Sequence, residues 1–111
     1  MKLILAIVQD EDASRLVSAL MNEGFSVTKL ATTGGFLRAG NTTLLLGVDD
    51  AKLSTAMSVI ERVCKSRKHT ASVTTNMPDM PASYSAGSYP MEVTVGGATV
   101  FVLSVEQFVK M

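Results

Sequence analysis

The chain has 111 residues, ten basic and ten acidic side chains, and a formal net charge of zero. That length suits one domain with a modest core, and the charge balance excludes the broad basic face of a general nucleic-acid or anionic-membrane binder. A single cysteine, Cys64, excludes an intramolecular disulfide and suits a reducing compartment.

Residues 2–9 compose a strand that is apolar on both faces, with Leu3, Leu5 and Ile7 on one and Ile4, Ala6 and Val8 on the other. The same run imitates the front of a signal peptide, but Gln9 and the acids Asp10, Glu11 and Asp12 end it too early. No run approaches the length of a membrane span, so a cytoplasmic location is expected. Asp10 or Asp12 is placed to cap a helix, whose stripe is Ala13, Leu16, Val17 and Leu20. Gly24 falls where a helix ends in a left-handed residue. A second strand covers 25–31, a glycine-rich loop about 32–41, and a third strand 42–48, again apolar on both faces. Asp49 and Asp50 open a second helix, with the stripe Leu53, Ala56, Met57, Ile60, Val63 and Cys64.

Residues 66–90 hold all three prolines and both tyrosines, and read as a long functional loop with a weak strand candidate near 69–75. Residues 91–95 and 98–103 alternate around Gly96-Gly97 and predict a tight β-hairpin. Ser104 and Gln107 have the spacing of a capping box and predict a short terminal helix. The order βαβ, βαβ, hairpin predicts a single α+β domain over 1–111, a ferredoxin-like βαββαβ sandwich with a C-terminal β-hairpin and short helix. Both helices of such a sandwich cover one sheet face. The opposite face, apolar on the strands 2–8 and 42–48, then needs cover from other subunits.

The segment Thr28-Lys-Leu-Ala-Thr-Thr-Gly-Gly-Phe-Leu-Arg-Ala-Gly-Asn-Thr-Thr43 carries the most specific signal. Glycines let a turn bring backbone N–H groups close to a ligand, and threonine hydroxyls add donors. With Met1-Lys-Leu-Ile4, Val8-Gln-Asp10, Val95-Gly-Gly-Ala-Thr-Val-Phe-Val-Leu103 and Gln107-Phe108, it resembles the PII-like cyclic di-AMP receptor family, the PstA/DarA type. The resemblance spans nearly the whole chain. It implies a homotrimer with sheets packed inward, cyclic di-AMP in each inter-subunit cleft, and loops that control a partner protein once ordered by ligand. No cofactor besides that ligand is implied.

A cyclic dinucleotide needs an apolar slot for a base and donors for phosphate oxygens. Phe36, Leu37 and Phe101 are the candidates for the slot, and Thr28, Gly35, Asn41 and Gly47 for donors or close backbone approach. Gln107 is the candidate to read a polar base edge. Each has a plainer reading. Phe36 and Phe101 suit packing, Thr28 a strand, Gly35, Gly47 and Asn41 turns or close contacts, and Gln107 the Ser104 cap. The chain departs from the family pattern at Gly24 and Ser26, where asparagine and arginine are common. Serine lacks the reach and the charged fork of an arginine, which leaves room for a different adenine nucleotide; Arg38 is the candidate to compensate. No histidine–carboxylate or cysteine–histidine pairing points to an enzyme, and one histidine with one cysteine points to no transition-metal site. Lys65, Arg67, Lys68 and His69 could steer an anionic nucleotide, but lie where cations finish a helix, and that plainer reading is preferred.

Overall fold

The computed structural model describes residues 1–30, 40–74 and 88–111. The elements are β1 (Lys2–Gln9), α1 (Asp10–Asn22), β2 (Thr28–Leu30), β3 (Asn41–Val48), α2 (Leu53–Cys64), β4 (Arg67–Thr74), β5 (Ser88–Val95) and β6 (Ala98–Ser104). They form two compact units, one of residues 1–65 and 96–111 and one of residues 66–95.

In the first unit, four strands make an antiparallel sheet in the order β2-β3-β1-β6. This is the order of a ferredoxin-like sandwich, with β6 as its last strand. Strand alternation decides what is buried. Ile4, Ala6 and Val8 of β1 and Leu44, Leu46 and Val48 of β3 face the helices and are at most 3% exposed. Leu16 and Leu20 of α1 and Ala56, Val59, Ile60 and Cys64 of α2 close over them. Both predicted helical stripes are therefore the core faces.

The α1 terminus follows the sequence closely. Gly24 has φ +87°, its N–H donates to the Met21 carbonyl at 3.0 Å, and the Phe25 N–H donates to the Leu20 carbonyl at 3.0 Å. These paired bonds are a Schellman motif, and Leu20 and Phe25 supply its apolar contact. A Cβ at Gly24 would meet nothing within 4 Å, so only the left-handed backbone opposes a side chain. Gly24→Ala should therefore lower stability by about 1 kcal/mol. Gly24→Asn should cost less than half as much, because asparagine tolerates this conformation; equal losses in urea denaturation would refute the argument.

The start of α1 differs from expectation. Gln9 is the N-cap residue and makes no side-chain cap bond. Asp10 and Asp12 lie inside the helix. The Asp10 carboxylate accepts the Thr42 hydroxyl, and the buried Asp12 carboxylate accepts from Arg15 Nη2 at 2.6 Å. A 3-10 turn, Asp50–Lys52, precedes α2. There the Met1 ammonium lies 3.0 Å from Asp50, and its hydrogen bond and charge hold the Asp50 carboxyl below the usual range.

Four further expectations are corrected. Residues 91–95 and 98–103 do not form a hairpin. Val95 lies opposite Arg67 of β4, whereas Ala98 lies opposite Val8 of β1. Gly96 and Gly97, at φ +83° and +93°, have the positive φ values of a hairpin turn, and the chain uses them to pass from one sheet to the other. The stretch 66–90 is not a plain loop, since β4 and the start of β5 pair within it. Each strand of a two-stranded ribbon is an edge, which tolerates Pro90. Of the basic cluster only Lys65 caps α2; Arg67, Lys68 and His69 belong to β4, and Lys68 Nζ lies 3.9 Å from Glu92.

No terminal helix follows β6. The Ser104 hydroxyl accepts from Lys2 Nζ at 3.0 Å instead of capping. The Val105 N–H extends the ladder by donating to the Met1 carbonyl at 3.2 Å.

Candidate functional site

Thr28, Gly47 and Phe101 share the sheet face opposite the helices. Directly paired residues of an antiparallel sheet share a face. Thr28 lies opposite Leu45, Leu45 opposite Leu5, and Leu5 opposite Phe101. One row thus runs Thr28, Leu45, Leu5, Phe101 across all four strands. The next row on that face is Gly47, Leu3 and Leu103. Leu3, Leu5, Ile7 and Leu45 are half-buried within the subunit, while Phe101 and Leu103 are each 47% exposed. The predicted second apolar face is present, and among the described residues no helix packs on it.

Thr28 and Phe101 share a row but not a cleft. They stand on opposite edges of the sheet, three strand spacings or roughly 14 Å apart. Asn41, opposite Gln9, opens β3, and Gly47 lies near its far end; six steps along the strand place them about 20 Å apart. Gly47 is exposed, and a Cβ there would come within 3.0 Å of the Met1 methyl. That methyl ends a flexible side chain, so internal packing does not by itself demand glycine. Gln107 is exposed in the tail beyond β6, which leaves the sheet at the Gly47 end. Gly35, Phe36 and Leu37, with Arg38, lie outside the described residues.

Ser26 is exposed two residues before Thr28, and Gly24 is the exposed helix-ending residue. The two departures from the family pattern therefore sit on the approach to β2. On the helix side, Glu23, Thr55, Ser58, Val59 and Arg62 line a depression of about 230 Å³. It holds none of the sequence-predicted residues. Among the described residues no three His, Cys, Asp or Glu side chains group as metal ligands would, and no helix is long and apolar enough to cross a membrane.

Sequence reading missed two features. Leu103 was not singled out, although it is as exposed as Phe101 and alternation from Phe101 places it on the same face. The bonds of Gln9, Asp10 and Thr42 at the strand ends also went unread, because they join residues far apart in the chain.

An antiparallel sheet in ferredoxin-like order, with two helices on one face, defines a small α+β module. Comparison with known proteins gives the module its family. The family model for the cyclic-di-AMP receptor matches residues 1–111, and the chain belongs to that family. It is also similar to a functionally unknown protein from Pediococcus pentosaceus ATCC 25745 known from a crystal structure. The two are 36% identical, with a TM-score of 0.77, and the likeness covers 99% of this chain and 96% of the other.

Proposed function

We propose that the chain is a non-catalytic signal receptor that binds cyclic di-AMP in clefts between the subunits of a cytoplasmic homotrimer. The contacts would come from Thr28, Gly35, Phe36, Leu37, Asn41, Gly47, Phe101 and Gln107. Ligand would order the glycine loop and the segment after α2, which then engage or release a partner protein. Cyclic di-AMP is the only small molecule this mechanism needs. Family membership supports the ligand. The observation that carries the inter-subunit site is the separation of Thr28 from Phe101 on one bare face. A neighbour that buries this face brings its own β2 edge toward the β6 edge, assembling what one subunit holds apart.

Calorimetric titration with cyclic di-AMP, against cyclic di-GMP, ATP and AMP, tests this reading. Selective binding near one ligand per subunit is expected, and the absence of binding by a folded trimer would refute it. A second reading, a regulator of the same build that takes another adenine nucleotide, draws on the exposed, short Ser26 beside β2. If Ser26 simply lacks a ligand contact, Ser26→Arg should tighten cyclic di-AMP binding by roughly ten- to a hundredfold through one charge-assisted hydrogen bond. Tighter binding of ATP or AMP than of cyclic di-AMP by the unmodified protein would favour the second reading.

A further inference from the structure

Gln9 and Asp10 stand between two glycines that bound separate excursions of the chain. Gln9 occupies the position whose side chain ordinarily caps a helix. Its amide oxygen instead accepts the Gly96 N–H at 2.8 Å. Asp10 reaches the other way. Its N–H donates to the Gly40 carbonyl at 2.8 Å, and its carboxylate accepts the Thr42 hydroxyl. Gly40 and Gly96 both have positive φ. Gly40 leads into β3, and Gly96 is where the chain leaves β5 for β6. The Gly97 N–H in turn donates to the Cys64 carbonyl at the end of α2.

The support beneath these bonds is stiff. β1 is an inner strand, paired with β3 as far as Gln9 and with β6 as far as Val8. Two adjacent residues, the last of β1 and the first of α1, thus hold both glycines, and neither bond satisfies an ordinary cap. Asn41 directly follows one glycine, and the strand that carries Phe101 follows the other.

We propose that Gln9 and Asp10 are positioning residues for the cyclic dinucleotide, which they do not touch. They set Gly40 and Gly96 relative to each other, so that a displacement at the start of β3 is felt at the start of β6. For its ligand this rests on the receptor reading above; the linkage itself does not.

Two measurements separate the linkage from the ligand. Without ligand, amide exchange at Gly96 is followed by NMR in the wild type, Thr42→Val, Gln9→Met and the double variant. Gln9→Met keeps side-chain length but removes the acceptor, and should speed Gly96 exchange by roughly tenfold. Thr42→Val, which has no bond to Gly96, should speed it by a few-fold, and the double variant should be no faster than Gln9→Met. Wild-type exchange at Gly96 in Thr42→Val would overturn the linkage.

With cyclic di-AMP, Gln9→Met should weaken binding by roughly tenfold, whereas Gln9→Glu, which keeps an acceptor, should stay within about threefold of wild type. Wild-type affinity in Gln9→Met, despite faster Gly96 exchange, would overturn the positioning role. If the wild type binds no cyclic di-AMP, the receptor reading falls and the exchange data alone decide the junction.

Discussion

If the proposed homotrimer forms, Phe101→Glu should convert it to folded monomers and weaken cyclic di-AMP binding by at least about a hundredfold. Phe101 sits on the edge strand β6, in one row with Leu5, Leu45 and Thr28, and is 47% exposed. Within one subunit the ring is only partly packed, so its replacement should cost the fold about 1 kcal/mol. Against a neighbour the outcome reverses. An unpartnered carboxylate there must give up its hydration, at a cost of several kcal/mol per ion, and symmetry repeats the cost at every interface. Loss of the proposed base slot would compound the effect on binding. Sedimentation velocity and calorimetry at matched concentrations check both parts, and circular dichroism checks the fold. A variant that remains trimeric and binds normally would remove the bare face from both roles.

The largest stability effect should come from Leu16→Ala. Leu16 is fully buried in the α1 stripe, within the core that also holds Ile4, Leu44 and Ile60. Truncation loses the transfer free energy of the removed carbons and leaves a cavity that a strand-and-helix sandwich cannot fully close, a loss of about 2–5 kcal/mol. Domains of this kind are stable by only about 5–15 kcal/mol, so the urea midpoint should fall visibly. Met21→Ala on the same helix removes a side chain that is 61% exposed and should stay within about 0.5 kcal/mol of wild type. Both must be compared at one protein concentration, since any assembly adds stability by mass action. Similar losses for the two variants would mean that the burial pattern does not govern this helix.

These expectations rest on the parts of the sequence where local pattern and tertiary demand agree. The stripes Ala13-Leu16-Leu20 and Ala56-Ile60-Cys64 are periodic because each helix buries one face, and that period survives without knowledge of neighbours. Gly24 was legible for a similar reason, since a left-handed residue after an amphipathic run has few other uses. The errors fall where two structures share one local signature. Gly96-Gly97 suits a tight hairpin and a switch between sheets equally well, and only the free edge of β1 decides between them. Ser104 has a capping residue's chemistry, but Lys2, at the other end of the chain, claims its hydroxyl. Pro90 spoke against a strand because sequence alone does not say whether a strand is an edge. The shared placement of the candidates was not legible: Thr28, Gly47 and Phe101 reach one face through pairings between distant strands, which no spacing in the sequence encodes.

The hydrogen bond from the Gly97 N–H to the Cys64 carbonyl has a meaning for how such a chain can diversify. It ties the point where the main sheet's chain departs after α2 to the point where it returns before β6. Along the chain, residues 66–95 are a detour whose two ends meet at this neck, and the pairing of β6 with β1 lies wholly outside it. Segments 66–95 of other sizes and compositions could hang from the same neck while the core and the strand registers stay unchanged. The frame and the detour are thereby free to evolve at different rates, the first held by packing and the second by whatever it meets.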